Sequence, residues 1–155
     1  MDRRPPSATG AVAVEFALLL PVLLLMLGGI FGLGRALAQF ETLTKATRDG
    51  ARLFSVQKKA TINSAAVQLA KDRVVAMAKA GGMPAFSSSN VVVTCLAKST
   101  YADSTCVDGT EPGGVRVETT GWAYTMGSTV PLINYANWVI TMKASTTMRY
   151  MNPNP

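Results

Sequence analysis

Apolar and polar positions divide the chain into three regimes with different periods. From Phe16 to Gly34 no residue is charged, a run of roughly 19 residues or ~28 Å of helix, enough to cross the hydrocarbon core of a bilayer. The wider stretch from Ala11 to Ala38, AVAVEFALLLPVLLLMLGGIFGLGRALA, holds one acid near its start, Glu15, and one base near its end, Arg35. Beyond Arg35 the helical period continues. Leu37, Phe40, Leu43, Ala46 or Thr47, Ala51 and Phe54 recur at three- and four-residue steps, with Glu41, Lys45, Arg48 and Arg52 between them. One helix of about 65 Å is therefore predicted from near Ala11 to near Phe54. Pro21 removes a backbone donor and should bend it, and Gly50 weakens it by about 1 kcal/mol relative to alanine.

A second helix is predicted over INSAAVQLAKDRVVAMAKA, capped by Thr61 or Asn63 and ended by Gly81-Gly82. Its packing face is Ala66, Leu69 or Ala70, Val74, Met77 and Ala78, and Lys71, Asp72 and Arg73 form a solvated face. From Asn90 the period changes again. Val91 to Leu96, Val115 to Met126 and Trp138 to Tyr150 are rich in β-branched and aromatic residues, with turn clusters at Asp108-Gly109 and Pro112-Gly113-Gly114. They read as a small antiparallel sheet in which Gly121 marks a bulge or bend. Trp122, Tyr124 and Trp138 read as its packing face rather than a ligand platform. Tyr150 to Pro155 reads as a tail of little structure. The fold class is thus α+β: a long N-terminal transmembrane helix continuing into a head with a second helix and a small antiparallel sheet. The expected divisions are a leader over 1–10, a transmembrane helix over 11–38 and an extracytoplasmic head over 39–155.

Charge changes this picture little. The net charge of +6 is spread along the chain and interleaved with acids, so no nucleic-acid partner is expected, and Arg3 and Arg4 read as topology signals. With no histidine and two cysteines, the sequence offers neither the usual general bases nor a metal-ligand set. No catalytic residue, metal or cofactor is expected, and the chain does not read as an enzyme. Cys95 and Cys106 sit at a strand end and in the following Ser/Thr-rich loop. In an exported domain they read as a structural disulfide worth about 3 kcal/mol in the chain-entropy model.

The candidate chemistry lies at the N-terminus. Gly10 closes a polar, basic leader; four small or apolar residues follow, Ala11 to Val14, and then Glu15 and Phe16. A small residue before a scissile bond lets extended backbone enter a protease site. An acid one helical turn inward can meet the new ammonium group of a neighbouring subunit, so that two charges that are costly in lipid neutralise each other. Gly28 and Gly32 make a GxxxG continued by Ala36, a face smooth enough for close helix contact.

This arrangement resembles the processing site of type IV prepilins, in particular the tight-adherence group. The stretch from Gly10 through Arg52, with its G-AVAVEFAL-LLP opening, L-G-G-I and G-L-G-R-A exit, and L-T-K-A-T-R-D-G-A-R, is similar to the TadE-like family of minor pilins. The resemblance implies that a prepilin peptidase in the inner membrane cuts between Gly10 and Ala11, making Glu15 the fifth residue of the mature chain. It further implies a minor pilin or pseudopilin with other pilins and the assembly machinery of a tight-adherence pilus as partners, N-terminus cytoplasmic and head periplasmic, serving adhesion. Family members often carry an acid where this chain has Gly32, so a contact through that acid is not carried over. Two other readings stand beside it: an uncut single-span binding or sensor module, and a secreted binding protein released after Ala38, where Ala36-Leu37-Ala38 satisfies the small-x-small rule of a signal peptide.

Overall fold

The computed structural model describes residues 9–125 and 139–151. Arg3, Arg4, Trp138 and the residues after Met151 lie outside them. The long apolar period becomes one helix, α1 (Thr9–Ser55), of 47 residues, which runs through Pro21 without interruption. A turn and a short π-helical segment, Ile62–Ala66, lead into α2 (Val67–Ala80). Among the described residues six strands follow: β1 (Val91–Leu96), β2 (Asp103–Ser104), β3 (Gly114–Thr119), β4 (Trp122–Thr125), β5 (Val139–Met142) and β6 (Ser145–Arg149). This is the α+β, pilin-like layout, with every described strand pair antiparallel.

Only the C-terminal half of α1 is packed. Leu43, Ala46, Thr47, Ala51 and Phe54 are fully buried, and they lie between α2 on one side and the sheet on the other. α2 runs back along α1: a β-carbon added at Gly50 would fall 2.7 Å from Val74 Cγ2, and one at Gly81 would strike Thr42. Small residues permit this approach, since α2 buries Ala70, Val74 and Ala78. The expected Leu69 and Met77 are respectively exposed and half-buried. Arg73 is not simply solvated, because its Nε meets Asp49 Oδ2 at 2.6 Å across the helix pair.

The two long strands expected at 115–126 and 138–150 each break near the middle. The main sheet has the order β2-β1-β3-β6, and β4-β5 form a second, two-stranded sheet. Along the β3/β6 pairing Glu118 faces Ser145, whereas beyond the break Trp122 faces Met142. Residues 119–121 therefore face only 143–144, which is the signature of a β-bulge. Gly121 takes φ +67° there, a left-handed conformation that glycine adopts without strain. The bulge is tied by Thr119, whose N–H donates to the Ala144 carbonyl at 2.8 Å and whose Oγ1 accepts the Ala144 N–H at 2.9 Å.

Two local expectations change. Thr61 makes no side-chain cap, and Asn63 is itself capped: Asp108 Oδ1 accepts the N–H of Asn63 at 2.6 Å and of Ser64 at 3.1 Å. The cap comes from 45 residues downstream, because the intervening loop folds back onto the start of the helical segment. Tyr150 is not the start of a loose tail either. It is buried, its hydroxyl donates to the Gln57 carbonyl, and the next residue's N–H reaches the Ser55 carbonyl at 3.0 Å. The second of these bonds satisfies a carbonyl that the end of α1 leaves without a helical partner.

Candidate functional site

The exposed part of the molecule is the N-terminal half of α1. Every described residue from 10 to 27 is exposed, including Val14, Phe16, Leu18, Leu23 and Met26. The helix is long and apolar enough to cross a membrane, and an apolar surface of this size left bare in water would be strongly unfavourable. The sequence explains the division: outside 16–34 the polar residues return on one side of the helix, and the head covers the other.

Gly10, Ala11, Glu15 and Phe16 lie together in the first two turns. The Gly10–Ala11 peptide bond follows the first residue of α1, Thr9, where backbone N–H groups have no partner within the helix. Opening this end therefore breaks few hydrogen bonds. No atom lies within 4 Å of a β-carbon built at Gly10, so its surroundings are open. Glu15 and Phe16 are both exposed on the helix surface, one turn inward from that bond.

The small-residue stripe lies elsewhere. Gly28 is half-buried and Gly32 and Ala36 are buried, covered by the chain itself, and Gln39, Leu43 and Gly50 continue the same buried line. The face that looked ready for helix contact thus leads into the head.

The disulfide holds the other end of the molecule. Cys95 and Cys106 are bonded, with Cα atoms 5.1 Å apart, and Cys95 also faces Ser104 across β1 and β2. The loop so closed is fastened at several points. Lys98 Nζ donates to Glu111 Oε2 at 2.8 Å, Gly109 N–H donates to the Lys59 carbonyl at 2.8 Å, and Asp108 caps the helical segment. The two backbone N–H donors, Ser64 foremost, hold the Asp108 carboxyl below the usual range. The Lys98 ammonium does the same for Glu111. Asp108 was legible only as a turn residue, since its partner is set by tertiary folding.

The outer sheet face carries a line of charges. Asp103 Oδ1 meets Arg116 Nη1 at 2.6 Å, Arg116 Nε lies 3.9 Å from Glu118 Oε1, and Lys143 lies 4.0 Å from Glu118 Oε2. Trp122 turns the other way, edge-on to Phe86 with ring centroids 5.5 Å apart, and Tyr124 is buried. Both aromatics pack into the head. Among the described residues no group of three or more His, Cys, Asp or Glu side chains is placed to hold a metal ion.

Residues 10–52 match the family model described as TadE-like protein. No curated protein and no solved structure matches the chain. The match opens on the glycine before the Gly10–Ala11 bond and stops at Arg52, so it takes in the exposed half of α1 and most of the half that carries the head. Over this helix, residues 10–52 of 155, the chain is similar to TadE-like proteins.

Proposed function

We propose that the chain is a minor pilin or pseudopilin of a tight-adherence pilus, cut by a prepilin peptidase between Gly10 and Ala11. One observation carries the reading: the matched segment 10–52 is a single helix whose first half is bare and apolar while its second half is the spine of a folded head. A helix so divided suits a subunit that waits in a membrane and later packs its bare half among other helices. Residues 1–10 are the leader, 11–38 cross the inner membrane and 39–155 form the periplasmic head, with the N-terminus in the cytoplasm. Glu15 pairs with the Ala11 ammonium of a neighbouring subunit, which favours assembly over dispersal because each unpaired charge is costly in lipid. The role is structural, in pilus assembly and adhesion.

Release after Ala38 fits the geometry poorly. Ala36 and Gln39 are both buried in the head, so that cut would pass through the packed helix. The decisive measurement is the N-terminal residue and intact mass of the chain taken from membranes with and without the peptidase. A peptidase-dependent start at Ala11 is expected. A start at Met1 would replace this reading by a fixed membrane module, and a start at Gln39 by a secreted protein. Glu15→Ala is expected to be cut yet to enter fibres more slowly; assembly at the normal rate would remove the charge pairing.

A further inference from the structure

The head has two chemically different ends. Following α1 from Phe54 toward the span, Gly50 meets Ala70 and Val74, and Thr42 meets Gly81. The loop after α2, residues 81–90, thus lies at the end of the head nearer the span. The β-bulge joins it there: the Thr120 N–H donates to the Asn90 carbonyl at 2.8 Å, and Asn90 Nδ2 donates to the Thr120 carbonyl at 3.1 Å. Along the sequence, Ala80 to Ala97 and Thr119 to Met142 contain no charged residue. The loop nevertheless presents exposed Pro84, Ala85 and Ser88, and β5 presents exposed Val139. At the other end stand Lys58, Lys98, Asp108 and Glu111, in or beside the disulfide-closed loop.

The span gives the depth. Glu15 and Arg35 are separated by 20 helical steps, about 30 Å, which equals the hydrocarbon thickness of a bilayer. Gly32 lies within that interval and Ala36 just outside it, yet both are buried, and Ala36 belongs to the core cluster of the head. Off the buried line of α1, Leu37 is 63% and Phe40 42% exposed, although both lie beyond Arg35. The first ion pair along α1 is Glu41 with Lys45. A water boundary at Arg35 would leave Leu37 and Phe40 wet, whereas one near Glu41 covers them and lets Arg35 extend into the headgroups. Gly10 to Phe40 is then ~45 Å of helix, the full bilayer thickness with its headgroup layers.

We infer that the base of the head, formed by the uncharged 81–90 loop and the exposed edge of β5 at Val139 and flanked by Lys79 and Lys143, is a lipid-contact surface seated in the interfacial layer of the bilayer around the span. This rests on the membrane-spanning reading of α1 and adds to it a second contact made by the folded domain. Seating fixes the height and tilt of the head before assembly. It is apolar and dipolar in character, so it requires no anionic lipid.

The test uses the full chain in phosphatidylcholine nanodiscs containing a lipid with a photoreactive diazirine near its ester linkage, with adducts mapped by peptide mass spectrometry. Adducts are expected on the outer end of the span and on the 81–90 loop, but not on residues 97–112 at the disulfide end of the head, and high salt should leave the pattern unchanged. Ala85→Glu, at an exposed position outside the core, should lower loop labelling several-fold while leaving span labelling and the thermal midpoint of the head as they were. Adducts confined to the span, or loop labelling indifferent to Ala85→Glu, would overturn the seating and leave the span intact. Adducts absent from 16–34 as well would overturn both. Loop adducts seen only after the chain is diluted in lipid would mean that a second copy covers the base, and would also overturn it.

Discussion

Gly50→Ala separates two effects that point in opposite directions. An isolated helix would gain about 1 kcal/mol, because glycine is the poorer helix former and leaves more freedom in the unfolded chain. Gly50 is buried, however, and the new methyl would fall 2.7 Å from Val74 Cγ2 and 3.2 Å from the Ala70 carbonyl oxygen. Val74 is fully buried and branched at Cβ, so it has no free rotamer to move into. The Ala70 carbonyl moves only if α2 moves. Overpacking of this kind costs about 1 to 3 kcal/mol, and the net expectation is a loss of about 1 kcal/mol. For a chain of this size that lowers the melting midpoint by roughly 3 °C. The assay is urea and thermal unfolding of the full chain in mild detergent, followed by tryptophan fluorescence and far-ultraviolet circular dichroism. A Val74→Ala background removes the nearer obstacle, so there Gly50→Ala should be neutral or stabilising, with a coupling of about 1 to 2 kcal/mol between the two sites. If Gly50→Ala alone stabilises the head by the full helix-propensity gain, the helices do not cross as closely as this argument requires.

Replacing both Cys95 and Cys106 by serine should cost about 3 kcal/mol, read from the same unfolding curves, and a reducing agent should reproduce it in the native chain. Asp108 and Glu111 both titrate below their unfolded values, so their stabilisation is complete above the unfolded carboxylate range near pH 4 and is lost as pH falls through the folded values. Relative to intrinsic exchange at the same pH, protection of the Asn63 and Ser64 amides should therefore fall on acidification before the core opens, and Asp108→Asn should lower that protection already at neutral pH. Tyr150 is shifted upward, first by burial and then by the Glu111 charge. Its contribution is thus whole below pH about 10 and is lost as pH rises through the folded value, which ultraviolet absorbance will follow. Tyr150→Phe leaves the Gln57 carbonyl without this donor and should cost about 1 to 3 kcal/mol.

What the sequence revealed of this fold depended on the range of the interactions involved. The uncharged run, the helical period through Phe54 and the β-branched run at Val91 to Leu96 are local signals, and α1, α2 and β1 follow them closely. The pairing of Cys95 with Cys106 was legible for the same reason, since the two lie close in sequence. Asp108 is different. Its residue type suits a turn equally well, and only the return of the disulfide-closed loop brings its carboxylate to the Asn63 and Ser64 amides. Tyr150 looked like the start of a tail because the groups that bind it, the Gln57 carbonyl and the end of α1, are more than ninety residues away. The Gly28–Gly32–Ala36 stripe was legible as a close-packing face, but spacing alone does not say whether the packing partner is another chain or the same one.

That last distinction bears on how a subunit of the kind proposed could be both stable alone and ready to assemble. Were the small-residue face free along its whole length, it would attract other helices in the membrane before any assembly machinery acted. Here Gly32 and Ala36 are already covered from within the chain, while the face bearing Phe16, Leu23 and Ile30 stays open. If α1 spans a membrane as proposed, this side is covered near the membrane surface and the deeper apolar surface is left to lipid. In lipid that surface gains little by meeting another apolar helix, because acyl chains are as apolar as leucine. The remaining bias toward a partner must come from a polar term, and within the uncut span's first two turns the side chain able to supply it is Glu15. In the proposed pairing its counter-charge is an ammonium at Ala11, which would not exist until the Gly10–Ala11 bond is broken. Cleavage would then switch the helix from a stable lipid-facing state to one that favours neighbours. It follows that Gly10→Val, if it blocks the cut, should leave the head folded with an unchanged unfolding midpoint while abolishing entry into fibres. An uncut chain that still assembles would show that the driving force lies elsewhere.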